Sequence, residues 1–315
     1  MRRDEWRGLA FAAAAVTFFS TSPVLTLWAD PLDPFVKTGG RMAVAALTLG
    51  SVLALTHSRA STPVREAGGE PAPLYAPALP VAPLAARSRP ATVARFAAYG
   101  LIAALHFLCY IASLSFTSPA QSLTIVYTAP IFVALFAALL LREPIRGRQW
   151  GGMVVAVLGI VVLANPLAVE PGHPDWLWGD LLALGSAITF GLYSVAGRYE
   201  RARYSLFQYA TGLYGAAALW LAPVALLRWP QPGGPPVPAG AWLAVLALGL
   251  VPLALGHTLY NASLRRVHAA YVNIIAAQEV TGGVLLSWLL LGIAPTANEL
   301  IGGLITLGGI LIVLR

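Results

Sequence analysis

Long apolar runs separated by short polar segments make up most of the chain. Ten runs of about twenty residues are nearly free of charge. A helix of about that length crosses a hydrocarbon core of roughly 30 Å, and in lipid the backbone must satisfy its own hydrogen bonds. We therefore predict an all-α polytopic membrane protein with ten transmembrane helices. The predicted spans are 8–28, 34–57, 94–115, 119–141, 149–165, 177–198, 205–227, 240–262, 269–291 and 298–314.

The second half of the chain repeats the first at a spacing of about 150 residues. The matched positions are Tyr110–Leu114 with Tyr260–Leu264, Gly152 with Gly302, and Gly159 with Gly309. Five predicted spans separate the two copies, and an odd number turns the second copy upside down in the membrane. Inverted repeats of this kind recur in secondary transporters. We predict two inverted five-helix repeats, residues 1–165 and 176–315, joined by an external linker at 166–175.

Composition and charge placement agree with this topology. The chain is 58% hydrophobic and 10% charged, whereas soluble domains are roughly 25% charged. If the N-terminus is cytoplasmic, all of the 20 Lys and Arg residues except Lys37, Arg41 and Arg228 fall on the cytoplasmic side. The positive-inside rule then accounts for the net charge of +7. We expect a multi-pass protein of the cell (inner or plasma) membrane with both termini cytoplasmic, and no nucleic-acid partner.

Several functional classes lack support in the sequence. It contains no G-x-x-x-x-G-K-[ST] phosphate loop, no H-E-x-x-H, no G-x-S-x-G and no paired acidic cluster. We therefore expect no enzyme activity, no cofactor and no metal. The expected partners are a small-molecule substrate and the lipid bilayer, and the protein is expected to work without an obligate second copy. The proline- and alanine-rich segment 58–92 is interpreted as a flexible cytoplasmic loop.

Three groups of motifs carry a family resemblance. They are Ser113–Ser122, Tyr127–Phe136 with Leu141-Arg-Glu-Pro, and Gln149-Trp-Gly-Gly with Val157-Leu-Gly-Ile. Together they resemble the EamA-type signature of the drug/metabolite transporter superfamily. The resemblance implies ten helices in two inverted halves, a central cavity and transport of small metabolites. The chain departs from the family pattern at Val280, where a proline is expected after Glu279, and at Ile293, which stands opposite Glu143 in the repeat.

Ionisable residues inside the predicted spans are the first candidates for a site. Placing such a group in the bilayer costs roughly 2.5–3.5 kcal/mol. Glu279 lies near the middle of its span and is predicted to bind a cationic group or carry a proton. The alternatives are a structural partner for Arg41 and a protonated residue capped by the backbone. Arg41 and Lys37 share a helix face and are predicted to attract a substrate carboxylate. Alternatively, Lys37 extends to the interface and Arg41 pairs with an acid or with carbonyls.

Polar residues in other spans extend the candidate site. His106 and His257 occupy nearly equivalent places in the two halves, so they are predicted to flank a central cavity and titrate near neutral pH. Hydrogen bonding between helices is the alternative for each. Tyr127, Tyr193 and Tyr110 are candidates for cavity walls, with simple packing as the alternative. Asn261 is a candidate for an inner gate or a packing position.

These residues predict a secondary transporter or exporter of small polar metabolites that works by alternating access of the two halves. Amino acids are favoured because a buried acid and a buried base would meet an ammonium and a carboxylate. Export of hydrophobic drugs, nucleosides or sugars remains open, as does a non-transport membrane role. Proton coupling and uniport are both compatible with a protonatable Glu279.

Overall fold

The computed structural model describes residues 3–59, 89–117, 122, 125–164, 176–231, 236–291 and 294–314. Every regular element in those ranges is helical. The predicted linker 166–175 lies outside the described residues, and so does most of the predicted loop 58–92.

Thirteen α-helices are labelled in chain order. They are α1 (Arg3–Phe19), α2 (Ser22–Trp28), α3 (Pro34–Arg59), α4 (Arg89–Ser113), α5 (Ala129–Leu140), α6 (Gly147–Ala164), α7 (Trp176–Tyr199), α8 (Leu206–Leu227), α9 (Ala239–Leu248), α10 (Thr258–Leu264), α11 (Ala269–Ala276), α12 (Glu279–Leu291) and α13 (Ala297–Leu314). A π-helix, Gly249–His257, joins α9 to α10. A 3₁₀ turn, Glu200–Ala202, follows α7.

Seven helical stretches among the described residues are long and apolar enough to cross a membrane. They are Arg3–Trp28, Pro34–Thr56, Pro90–Ser113, Leu177–Ala202, Leu206–Leu227, Ala239–Leu264 and Ala269–Leu290. Three further apolar helices are shorter, namely Ala129–Leu140, Gly147–Leu163 and Leu300–Val313. The described part of the chain is therefore all-helical and has the helix lengths and composition of a polytopic membrane protein. The shorter helices coincide with predicted spans 119–141, 149–165 and 298–314, so the count of ten stays a prediction.

Two helical segments break at equivalent places in the repeat. A turn at Tyr127–Thr128 precedes α5, and a turn at Ala277–Gln278 separates α11 from α12. A broken helix exposes backbone polar groups, which lipid cannot satisfy, so such breaks occur where protein or a cavity surrounds them. The two turns therefore identify the interior of the bundle.

Most of the closest helix contacts join the two halves of the chain. Helices at corresponding repeat positions pack on each other: α3 on α8, and α6 on α13. Likewise α5, in the fourth predicted span, packs on α11, in the ninth. The other main contacts form reciprocal pairs. Contact of α4 with α7 mirrors that of α10 with α1, and contact of α5 with α7 mirrors that of the ninth span, α11 and α12, with α1. The contact pattern is nearly unchanged when the halves are exchanged.

Glycines allow α6 and α13 to approach at backbone distance. Gly152 lies against Gly309, and Gly159 lies against Gly302, so the two helices run antiparallel. Near the middle of this crossing, the Thr306 hydroxyl lies 3.3 Å from the carbonyl oxygen of Ala156, the residue 150 positions earlier. A contact between two equivalent residues is expected where a two-fold axis passes.

We expect Gly309→Ala to destabilise the protein, because the added methyl carbon would stand 2.4 Å from the backbone nitrogen of Ala156. Overpacking of this kind costs about 1–3 kcal/mol. Gly308→Ala, one residue earlier, is the control. Nothing lies within 4 Å of its added carbon, and Ala gains about 0.5–1 kcal/mol over Gly in a helix. Thermal unfolding in detergent should show a lower midpoint for Gly309→Ala only, and equal midpoints would contradict the close crossing.

Candidate functional site

A central cavity lies between the two halves, next to both helix breaks. Its polar wall consists of Ser22, Arg41, His106, Tyr110, Tyr127, His257 and Glu279. Its apolar wall is dominated by Phe19, Phe107 and Phe190. The cavity offers about 40 Å³ to the centres of water molecules, room for a few waters at roughly 10–15 Å³ each. A larger ligand would require the walls to separate.

The Arg41 guanidinium is the most unusual group in this wall. Arg41 lies on α3 and is 1% exposed. Its carbon Cζ lies 4.8 Å from the centre of the Phe107 ring, where the π-electron face attracts a cation. Its Nε and Nη1 atoms have no hydrogen-bond partner among the residues that the structure describes. A buried charge without a partner is costly, so the arrangement is suited to receiving an anion.

Glu279 begins α12, immediately after the turn that separates it from α11. The Tyr127 hydroxyl lies close enough to interact with its carboxylate. The first turn of a helix is also favourable for a negative charge because of the helix dipole. Arg41 is close enough to interact with Glu279 electrostatically, yet within the described chain the two form no ion pair. A carboxylate and a guanidinium therefore face one cavity without neutralising each other directly.

Both predicted histidines reach the cavity, and both also contact a neighbouring helix. His106 Nδ1 lies 3.1 Å from the Ser186 carbonyl oxygen and 3.0 Å from the Ser186 hydroxyl. Its ring stacks on Phe190 at 4.5 Å. His257 ends the π-helix, and its Nδ1 lies 3.5 Å from the Tyr193 hydroxyl. Each histidine can therefore line the cavity and contact a neighbouring helix at the same time.

The remaining predicted residues occupy different positions. Tyr127 lines the cavity, while Tyr193 and Asn261 lie behind its wall. The Asn261 amide donates to the Tyr193 hydroxyl at 2.7 Å and to the His257 carbonyl at 2.8 Å, so it holds both groups in place. Lys37 lies outside the cavity and forms an ion pair with Asp30 near the start of α3. It does not share a cavity-facing strip with Arg41.

Sequence reasoning missed the phenylalanine walls. Phe19, Phe107 and Phe190 sit in apolar helices, where an aromatic residue has no distinguishing signal. Tyr110, which begins the duplicated five-residue block and was a candidate for the cavity wall, lines the cavity. Its hydroxyl is buried and unpartnered among the described residues, as Arg41 is.

A second polar cluster lies at the arginine-rich end of the bundle, which is the end that carries Arg198, Arg201, Arg203, Arg265 and Arg266. The Glu143 network consists of Glu143, Arg198 and His268. Arg198 Nε donates to Glu143 Oε2 at 2.8 Å, and its Nη1 donates to the carbonyls of Leu264 and Val267 at 2.9 and 2.8 Å. These bonds connect the residues following α5 and α10 to the end of α7.

The hydrogen bonds of His268 define its protonation state. Its Nδ1 accepts from the Ala270 backbone N–H at 3.2 Å, so Nε2 carries the proton and donates to the Glu143 carbonyl at 2.9 Å. This pattern requires the neutral imidazole. Burial lowers the pKa of His268 below its ordinary value, which agrees with the geometry.

The two halves of the chain match one family model in turn. The model of the EamA-like transporter family matches residues 6–165 and again residues 177–315. The chain belongs to this family. A solved crystal structure shares its fold, with a TM-score of 0.73 at 22% identity, over 97% of this chain and 95% of that one.

Curated relatives of the chain carry names of exporters and transporters. A probable terminal-alkyne amino-acid exporter of Streptantibioticus cattleyicolor is 27% identical over 61% of this chain and 62% of the relative. An aromatic amino acid exporter of Ancylobacter novellus is 29% identical over 54% and 58%. A riboflavin transporter of Rhizobium johnstonii is 26% identical over 68% of both. The match therefore spans only about three-fifths of the first two relatives, and family and names together favour a transporter over an enzyme.

We expect the stability of the transporter to fall in mild acid because of His268. Its pKa is lower in the folded chain than the unfolded value near 6.5. The stability that the neutral ring contributes is therefore present above pH 6.5 and is lost as the pH falls through the lowered pKa. The loss is at most about 1.4 kcal/mol per pH unit.

The measurement compares thermal unfolding of the native chain and His268→Asn at pH 7.5 and pH 5. Asn keeps the capping acceptor for the helix that follows but does not titrate. The native chain should lose more thermal stability than the variant between the two pH values. Equal losses would contradict a required neutral His268.

Proposed function

We propose that this chain is a secondary transporter that exports amino acids or closely similar small polar metabolites by alternating access. The observation that carries the proposal is the pair of charges in the cavity. Arg41 offers unpartnered donors for a carboxylate, and Glu279 faces the same space and would meet an ammonium group. The two relatives named as amino acid exporters support this substrate class and the direction of transport.

The proposed architecture is ten transmembrane helices in two inverted five-helix repeats, residues 1–165 and 176–315. Three observations support it. The helix contacts are nearly symmetric between the halves, α6 and α13 cross antiparallel through matched glycines, and the same family model matches twice. The proposed location is the inner or plasma membrane of the cell. In the proposed orientation, both termini and the arginine-rich end face the cytoplasm. The proposed functional unit is one chain.

The packing favours two groups of helices as the moving units of transport. These groups do not coincide with the two halves of the sequence. Helices α4 and α5 pack on α7, while α10 and α11 pack on α1, so each group combines helices from both repeats. The Glu143 network links the two groups at the arginine-rich end, through Arg198 on α7 and the carbonyls of Leu264 and Val267. We propose that these groups separate at that end to admit substrate, and that the cavity then widens.

A planar aromatic substrate is the second candidate. Phe19, Phe107 and Phe190 line the cavity, and their rings would stack on an aromatic ring while Arg41 holds an anionic group. A relative named as a riboflavin transporter agrees with this alternative. Hydrophobic drugs, nucleosides and sugars would be distinguished from amino acids by direct competition for uptake.

We expect the purified protein in proteoliposomes to exchange labelled L-phenylalanine or L-leucine by counterflow, with Arg41→Gln raising KM at least tenfold. Losing a buried, charge-assisted contact costs about 2–5 kcal/mol. The substrate-free variant should unfold at the same or a higher temperature, because it no longer buries an unpaired charge. Lys37→Gln is the matched control, since it removes a cation from the same helix outside the cavity. Uptake of uridine or glucose in place of amino acids would contradict the substrate class.

We expect Glu279→Gln to retain counterflow exchange at a reduced rate but to lose its dependence on pH between 5 and 8. The amide can hydrogen-bond a substrate ammonium but cannot take up a proton. Initial rates at five pH values would measure the effect, with Asp4→Asn as a control at an exposed carboxylate paired to Arg266. A pH profile in Glu279→Gln equal to that of the native chain would exclude Glu279 as the proton carrier.

A further inference from the structure

Three arginines in the segment between α5 and α6 have no partner inside the described part of the protein. We call this segment the arginine loop, and its arginines are Arg142, Arg146 and Arg148. All three side chains are exposed, and within the described residues none of them forms an ion pair or a hydrogen bond. In contrast, the side chains of five neighbouring arginines donate to oxygen atoms of the protein, namely Arg198, Arg201, Arg203, Arg265 and Arg266. The loop arginines are therefore available to a partner outside the chain.

Arg142 has a backbone conformation that glycine adopts more easily. Its φ is 55°, in the left-handed region, where the Cβ atom of an L-residue crowds the following carbonyl oxygen. It directly follows Leu141, the C-cap of α5, and a left-handed residue at this place is usually glycine. The second half of the chain has glycine at the equivalent position, because Leu139–Leu141 repeats as Leu289–Leu291 and the next residue is Gly292. An arginine where the backbone favours glycine indicates a use for the side chain.

The same turn separates the positive and negative charges of the loop. The backbone N–H of Glu143 donates to the Ala137 carbonyl at 3.1 Å, and the Glu143 carboxylate is buried against Arg198 at 2.8 Å. Glu143 is the single acidic residue between Leu141 and Trp150. The acid of the loop is therefore neutralised in the protein interior, so the charges that the loop exposes are all positive.

Apolar residues on both sides place the arginine loop at the level of the lipid headgroups. Leu139 and Leu140, at the end of α5, are exposed, as residues that face lipid tails would be. Trp150, near the start of α6, is 37% exposed, and tryptophan is enriched at the boundary between membrane and water. A guanidinium group offers paired donors that match the oxygens of a phosphate. The loop thus combines the location and the chemistry that an anionic lipid headgroup requires.

We propose that the arginine loop binds the phosphate headgroups of anionic phospholipids in the leaflet at the arginine-rich end. A general excess of positive charge between two helices orients a membrane protein, but it does not require an arginine in the left-handed conformation. Binding by Arg142 explains that conformation, because the turn directs Glu143 inward and leaves the arginine beside the headgroups. The inference goes beyond the proposed transport function and does not depend on which solute is carried.

The test variant is Arg142→Gly, which removes the side chain and suits the left-handed turn. Without anionic lipid it should therefore unfold at the same temperature as the native chain or at a higher one. Arg228→Gln is the matched control, since it removes an exposed arginine at the opposite end of the bundle. Thermal unfolding is measured in mixed micelles that contain phosphatidylglycerol or phosphatidylcholine, and in detergent with inorganic phosphate. Hydrogen exchange of the backbone amides shows where the lipid acts.

We expect phosphatidylglycerol to raise the unfolding midpoint of the native chain by about 4 °C relative to phosphatidylcholine, and to slow exchange in residues 141–150. Arg142→Gly should show less than half of this rise, and Arg228→Gln should show all of it. An equal rise in Arg142→Gly and the native chain would overturn the proposal, as would unchanged exchange in the loop. If inorganic phosphate had the same effect as phosphatidylglycerol, the site would bind free anions and the assignment to lipid would be wrong.

Discussion

The hydrocarbon core of a membrane offers no hydrogen-bond partner to an isolated charge or to a broken helix, so both must face protein or an enclosed cavity. Arg41 meets that constraint by lying over the Phe107 ring at 4.8 Å, inside a space bounded by both halves of the chain. The two helix breaks, at Tyr127–Thr128 and Ala277–Gln278, border the same space. The buried charge and the two helix breaks, which are all energetically costly in a membrane, thus border the same cavity. That cavity is where we expect an anion to bind.

A nearly symmetric scaffold carries chemically asymmetric side chains. Helices pack in reciprocal pairs, and Ala156 and Thr306 touch near the expected axis although they lie 150 residues apart. The side chains do not follow this symmetry: Ala129 occupies the position equivalent to Glu279, and Ala277 the position equivalent to Tyr127. For the proposed transport, symmetric packing would give two similar ways to open the bundle, whereas a single set of charged groups would keep one site in both states.

The two ends of the bundle are held by different interactions. At the arginine-rich end, Arg198 bonds to one carboxylate and two backbone carbonyls, all in the protein interior. The ion pair between Lys37 and Asp30 lies at the other end, and the Asp30 side chain is 61% exposed. Solvent screens an ion pair that has one exposed partner, whereas separating a pair with both partners buried is costly. The more strongly held ionic contact in this structure is therefore at the arginine-rich end.

The amino-acid sequence by itself determined the class of protein and where its two halves correspond. Apolar length, charge placement and a spacing of 150 residues are properties of the chain that need no contacts to be recognised. Intramembrane charge likewise identified Glu279 and Arg41, because such residues are too costly to be placed there without an interior to face. The same reasoning misplaced Lys37, which is near enough to the helix end to reach an outer partner.

Only the tertiary structure decided which faces of the helices meet. An aromatic residue such as Phe107 or Phe190 has the same appearance in sequence whether it faces lipid or a cavity, because the rotation of each helix is set by its neighbours. Glu143 meets Arg198 across 55 residues and His268 across 125, and neither separation has a periodicity that sequence could reveal. The charges were therefore predictable one by one, but their partners and their common cavity depended on helix packing.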